Sequence, residues 1–250
     1  MSKLADRIRR ASRQAPAPMG FAAAAASAPA PTLLCLVRLS AGEASKVGEA
    51  AGKGADAVIV DGIEAGKLKS PAQAAGGASL GVGVPKATRQ SVSSLRDAGA
   101  DFVVVDVASA MAEALLEEKI GFVLAMEAAP DDSALRLLND MGLDALLTPA
   151  PSGPLTLERL LQLRRVSALS RTPMLVEVAA DVEASTLQAL RESGVVGVIV
   201  DSSSLGKLER LRERIASLPP RGKKREERGE ATLPALAGVP AEMDEDDDDD

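Results

Sequence analysis

The chain is 250 residues long, 46% apolar, and carries a formal net charge of −7. It has no His, Trp or Tyr, only three Phe, and a single cysteine, Cys35. Those absences exclude an intramolecular disulfide, a Ser–His or Cys–His nucleophilic pair and a His-based zinc site, and no haem is expected. The length supports one full-sized core. No run of eighteen apolar residues exists, so no membrane span is expected. A lone cysteine fits a reducing compartment, which points to a cytoplasmic location. With so few aromatics, stacking on single-stranded nucleic acid is nearly excluded. Eight of the negative charges lie in 242–250, and the body, 15–218, is mildly acidic. There is no basic footprint for nucleic acid.

Taken in order, residues 2–14 place Leu4, Ile8 and Ala11 at helical spacing opposite a basic face. Two readings stand: a short surface helix packed on the body, or an Arg-rich targeting presequence. Residues 15–31 are an Ala/Pro linker, so 1–31 forms a leading helix and linker.

From residue 32 to 218 the chain alternates apolar runs with helical patterns. The runs are 33–39, 57–61, 80–84, 102–106, 122–127, 145–148, 174–178 and 198–201. They are continuous rather than alternating, as parallel strands covered on both faces require. Met111, Leu115 and Leu116 predict a helix after the fourth run. Leu135, Leu138 and Met141 predict one after the fifth, capped by 131–133 and stopped by Gly142. Leu157, Leu160, Leu161 and Leu163 predict the next, followed by Leu187 and Leu190, then Leu205, Leu208, Leu211 and Ile215, with Ser202, Ser203 and Ser204 as a cap. A glycine-led unit recurs: Gly-Ala-Asp-Ala-Val-Ile-Val-Asp at 54–61, Gly-Ala-Asp-Phe-Val-Val-Val-Asp at 99–106, a weaker copy at 142–149 and Gly-Val-Val-Gly-Val-Ile-Val-Asp at 194–201. The copies fall on strands two, four, six and eight, so the repeat is a two-strand unit. Eight strand–helix units predict an α/β fold of the (β/α)8 (TIM) barrel class. The rival, an open doubly wound sheet, would carry a Gly-rich phosphate loop after strand one. Here strand one runs into Ser40-Ala41-Gly42-Glu43. Residues 219–250 form a charged tail, expected to be largely disordered, that could contact a basic protein partner.

In such a barrel the site lies at the C-terminal ends of the strands. The residues closing them are Arg38, Asp61, Lys86, Asp106, Glu127, Thr148, Glu177 and Asp201. One reading is an acid–base site, with Lys86 and Glu127 as the principal pair and Glu177 as a second base. Asp61, Asp106 and Asp201 would position substrate or hold Mg²⁺, which needs oxygen ligands and no histidine. The other reading is a ring of salt bridges in which Arg38 and Lys86 each pair with a neighbour. Asp56, Asp101 and Asp144 precede their strands and belong to the opposite, stability face.

The closing unit 197–205, Gly-Val-Ile-Val-Asp-Ser-Ser-Ser-Leu, resembles the last strand of phosphate-binding (β/α)8 barrels such as the indole-glycerol-phosphate synthase and thiamin-phosphate synthase families. The resemblance implies a phosphate or substrate held near Arg38 by Ser202, Ser203 and Ser204. Lys86 and Glu127 are similar in position to the acid–base lysine and glutamate of the synthase family. The chain departs from the pattern at 177–181, where no glycine follows strand seven, and at Asp201, which stands where those families place glycine. The expected function is a small-molecule enzyme, lyase or isomerase, acting at the barrel mouth. The alternatives are a non-catalytic barrel serving as a structural or assembly component, and a module that binds a protein partner through its tails.

Overall fold

A computed structural model describes residues 2–12, 32–126, 130–149 and 153–219. The chain opens with helix α1 (Lys3–Ser12), and then strands and helices alternate: β1 (Leu34–Ser40), α2 (Val47–Gly52), β2 (Ala57–Asp61), α3 (Ala65–Ala74), β3 (Ser79–Val84), α4 (Arg89–Asp97) and β4 (Phe102–Asp106). They continue as β5 (Gly121–Ala125), α5 (Asp132–Leu138), β6 (Ala145–Thr148), α6 (Leu157–Ser170), β7 (Met174–Glu177), α7 (Ala184–Glu192), β8 (Val195–Asp201) and α8 (Leu208–Ala216). All eight strands are parallel and β8 pairs back onto β1, closing the barrel. The expected linker at 15–31 and nearly all of the expected tail at 219–250 lie outside the described residues. Among the described residues no helix is long and apolar enough to cross a membrane.

Period-two alternation sends neighbouring residues of each strand to opposite faces. Leu34, Leu36, Ile59, Val104, Leu175 and Ile199 fill the barrel interior. Cys35, Val37, Val58, Val60, Val103 and Val200 pack against the helices. Both sets are buried, which is why the strands read as unbroken apolar runs. The glycine that opens each repeat has a left-handed φ: 88° at Gly54, 106° at Gly99, 68° at Gly142 and 95° at Gly194. A preceding helix ends there and the chain turns into a strand, a conformation that costs glycine no steric penalty.

The leading helix is more than a surface helix. Leu4, Ile8 and Ala11 are buried within the interior cluster, so α1 closes the N-terminal end of the barrel. Three aspartates hold it, each two residues after a repeat glycine. The Asp101 carboxylate accepts from Lys3 N (2.7 Å) and Leu4 N (3.0 Å), two of the orphan donors at the helix start. Ser2 caps the helix by accepting from Ala5 N at 3.0 Å, and its own hydroxyl donates to Asp144. Arg7 pairs with Asp56 at 3.4 Å and donates to the Gly77 carbonyl. The fourth repeat has Val196 at the corresponding position, packed in the same interior cluster. The repeat therefore encodes both the strand starts and the seat for α1.

Two helix predictions change. The expected helix at 111–116 is only a 3-10 turn, Ala112–Leu116. The reason lies at Asp106, whose carboxylate accepts from Ala108 N and Ser109 N and whose carbonyl accepts from Ala110 N. That turn takes up the start of the connection, and the residues after it wind only into the 3-10 turn before β5. On α6 the core face is Leu163, Val166 and Ser170, while Leu157 and Leu161 point to solvent.

Cys35 is buried against the helical shell beneath Asp56, whose carboxylate accepts from Cys35 N at 2.8 Å. Burial first, then the Asp56 charge, push its thiol up to about 12, against a smaller lowering by Arg212. The thiolate is the reactive form. Native protein at mildly alkaline pH is expected to leave Cys35 unlabelled by iodoacetamide, with full labelling after denaturation. Labelling of the folded protein at the rate of a free thiol would show that this packing is wrong.

Candidate functional site at the C-terminal mouth

Strand parity sends Thr148 outward and turns Arg38, Asp61, Asp106, Glu177 and Asp201 toward the mouth. Arg38 continues the inward set Leu34 and Leu36, Asp61 continues Ala57 and Ile59, and Glu177 continues Leu175. The register sets Arg38 beside Ile59 and Asp201, and Glu177 beside Ile199. Arg38 lies between the two carboxylates. Its Nε donates to Asp61 at 2.6 Å, its Nη2 to Asp61 at 3.3 Å and its Nη1 to Glu177 at 2.5 Å. Each side chain of the trio is about one-third exposed. Burial alone would lower the guanidinium's pKa, but the hydrogen bonds and charges of Asp61 and Glu177 outweigh it and raise it. Arg38 is thus a fixed cation at every working pH. A guanidinium has five N–H donors, and three are engaged among the described residues, leaving one on each terminal nitrogen.

Glycine in β3 makes room for this arrangement. A Cβ at position 83 would lie 2.0 Å from Asp61 Oδ1, and one at position 81 would lie 2.2 Å from the Phe102 ring. Gly83 is a site residue that the sequence analysis missed. The signal was present, because glycine inside a strand often marks close approach of another group.

The remaining candidates are engaged elsewhere. Asp106 closes its own loop, accepting from Ala108 N at 2.9 Å, Ser109 N at 3.1 Å and the Ser109 hydroxyl at 3.2 Å. Asp201 accepts from Ser204 N (3.1 Å), Ser203 Oγ (2.6 Å) and Ser204 Oγ (3.1 Å), and caps the 3-10 helix Ser202–Lys207. The Ser203 hydroxyl first, with Ser204 helping, lowers its pKa despite partial burial. Hence Asp61, Asp106 and Asp201 do not converge as the expected Mg²⁺ ligands. Among the described residues no group of three Asp, Glu or Cys side chains could hold a metal ion. The cap expected from the serines is supplied by Asp201. The expected phosphate donors are likewise taken, since Ser203 and Ser204 serve Asp201 and the Ser202 hydroxyl reaches Glu43. Lys86 sits exposed in the turn after β3, with no bond to the Arg38 trio among the described residues. Thr148 faces outward, level with Val176 on β7. Glu127 lies outside the described residues.

Glu43 was also missed. It follows β1 in the 3-10 helix Ala41–Lys46 and collects Lys46 Nζ (2.9 Å) and the Ser40 hydroxyl (2.9 Å). The hydrogen bonds of Lys46, Ser202 and Ser40, in that order, lower its pKa to about 2. A depressed carboxylate contributes stability above its unfolded pKa and loses it as pH falls through the folded one. The Glu43 carboxyl carbon is therefore expected to titrate by NMR near pH 2, and Glu43→Gln to remove that step from the acid limb of unfolding. A Glu43 midpoint at the ordinary value, roughly 4.3, would contradict the geometry.

Comparison with solved structures bears on the fold. A structure of the tryptophan synthase a2b2 complex from the hyperthermophile Pyrococcus furiosus matches with a TM-score of 0.59 and 15% identity, over 74% of this chain and 97% of that one. A mutant tryptophan synthase alpha-subunit from the same organism matches at a TM-score of 0.58 and 15% identity, again over 74% and 97%. The thiamine phosphate pyrophosphorylase of P. furiosus matches at 0.56 and 17%, over 75% and 98%. No protein-family profile matches the sequence, and no curated protein is similar enough to stand as a relative. The chain is a (β/α)8 barrel. At such identities the likeness extends to architecture and no further.

Proposed function

We propose that the chain is a small-molecule enzyme of lyase or isomerase type, acting by proton transfer at the C-terminal mouth. The observation that carries this reading is Arg38, held between Asp61 and Glu177 with two N–H groups left to meet a ligand oxygen. A carbonyl or carboxylate oxygen of the substrate docks on those two donors. Glu177 or Asp61, each already beside the guanidinium, accepts the proton on the adjacent carbon. Negative charge then develops on the bound oxygen, where the preorganised guanidinium stabilises it. Reprotonation at another carbon gives an isomerisation; loss of a leaving group gives a lyase reaction. Lys86, on its exposed turn after β3, is the sequence-derived candidate for the returning acid. No step is routed through a metal ion, because the three candidate aspartates are engaged separately.

A second reading is favoured by the same trio. Both carboxylates are bonded to the one guanidinium, so the mouth could instead be closed by ion pairs in a non-catalytic barrel. The two readings part on one test. The protein is incubated in D₂O with a panel of small ketoses and 2-oxo acids, and deuterium incorporation next to the carbonyl is followed by mass spectrometry. The enzymatic reading expects incorporation into at least one compound, reduced about a hundredfold or more in Glu177→Gln. Background exchange throughout would leave the closed, non-catalytic barrel as the surviving reading.

A further inference from the structure

Helix α1 turns its apolar side into the barrel and its charges outward. Leu4, Ile8 and Ala11 are buried, while Lys3, Arg9 and Arg10 are exposed on the other side. With Arg7 and Arg13, residues 1–14 carry five bases against one acid, Asp6, which Arg9 meets at 3.4 Å. The aspartates that seat the helix bond Ser2, the first-turn amides and Arg7. Among the described residues the side chains of Lys3 and Arg10 make no ion pair.

The chain leaves α8 at the same end of the barrel. Arg212 on α8 donates to the Gly54 carbonyl and lies 3.6 Å from Asp56, the carboxylate that Arg7 of α1 also contacts. One aspartate thus sits between the two helices. Arg191, at the end of α7 and buried, donates to the Pro219 carbonyl at 2.6 Å and holds the chain where it departs from α8. The 22 residues 220–241 separate that point from the run 242–250, which holds eight acids and no base. A segment of that length reaches about 70 Å when extended, whereas α1 is only about 15 Å long. The acidic run is therefore tethered within reach of α1. Tethering makes their encounter intramolecular, with an effective concentration on the order of millimolar.

We infer that the acidic run 242–250 folds back on the basic face of α1 and straps that helix to the closed end of the barrel. A single exposed ion pair contributes little, but here successive carboxylates meet several bases at once. Charge patterning favours α1 over other surfaces. On α8, Glu209 and Glu213 already alternate with Arg210, Arg212 and Arg214. On α6, Glu158 stands beside Arg159. The apolar side of α1 is used inside the barrel, so charge is what remains to recognise a partner, and a segment of opposite sign lies on the same chain. Salt screens such a contact, with a Debye length of about 10 Å at 0.1 M.

The sequence allows a direct probe. Cys35 is buried, so Met243→Cys places the one accessible thiol inside the acidic run. A nitroxide on that thiol, in the full chain, is expected to broaden the amide NMR signals of residues 3–12 at about 20 mM salt and to release them at about 0.5 M. Lys3→Glu/Arg10→Glu should abolish the broadening. Neutralising the run, Asp246→Asn through Asp250→Asn, should abolish it too, and guards against a misfolded helix variant. Deleting 242–250 is expected to lower the melting temperature by a few degrees at low salt and to have no further effect in Lys3→Glu/Arg10→Glu, because both changes remove one contact. Broadening that is absent, centred elsewhere or indifferent to the charge reversals would overturn the inference. So would broadening of isotope-labelled chains by nitroxide carried on separate chains, which would mean contact between copies.

Discussion

Leu4→Ala is expected to lower stability by about 3 kcal/mol, in the range for emptying a buried leucine site. For a domain of this size that is a fall in melting temperature of roughly 6–12 °C. The expectation follows from where α1 sits. Leu4 is fully buried, and its neighbours are the inward residues of the barrel itself. Truncating it opens a cavity at the closed end, where Phe102 already fills the space above Gly81. Asp101→Ala should cost less, about 1 kcal/mol, because it removes the acceptor for two helix-start amides but leaves the apolar contacts. That ordering distinguishes an integral plug from a detachable presequence. If α1 were detachable, neither substitution would move the melting temperature, measured by circular dichroism because the chain lacks Trp and Tyr.

Arg38→Met is expected to have the largest effect at the opposite end. It removes the cation between Asp61 and Glu177 and leaves two carboxylates facing each other. A fully buried pair broken this way would cost 3–5 kcal/mol. With each partner about a third exposed, solvent screening reduces that to about 1–2 kcal/mol. On the proposed reading ligand binding should suffer more, by about a hundredfold, since Arg38 is there the anchor for a ligand oxygen. Gly83→Ala supplies a separate route to the same result. The new methyl would occupy the place of Asp61 Oδ1 and push that carboxylate off the guanidinium while Arg38 stays intact. Both variants should therefore lose ligand response. If Gly83→Ala binds as wild type does, Asp61 has no part in shaping the site.

The barrel was legible because parallel strands buried on both faces leave continuous apolar runs, and because the repeat glycines mark where helices stop. The 111–116 helix was misread because its leucine spacing is helical while the Asp106 turn takes the preceding residues, and such local competition leaves no period behind. On α6, Leu157 and Leu161 mimic a core stripe that Leu163 and Val166 provide. The mouth was half legible. Arg38, Asp61 and Glu177 share the parity of the interior residues, but so do Asp106 and Asp201, so parity alone did not single out the trio. That Asp106 and Asp201 would turn back onto their own loops could not be read, since a strand-end aspartate suits a cap as well as a ligand site. The serines resembled phosphate donors, yet Asp201, in the place of a glycine, brings its own carboxylate to them. The role of α1 was hidden in plain view: Asp56, Asp101 and Asp144 recur with the repeat, and a helix start needs acceptors of that kind.

The most direct test is thermal unfolding of the wild type and Arg38→Met against a panel of small carboxylates and 2-oxo acids. A working mouth built on Arg38 predicts that at least one compound raises the melting temperature of the wild type in a concentration-dependent way and leaves Arg38→Met unmoved. Equal responses in both proteins, or none in the wild type, would contradict it.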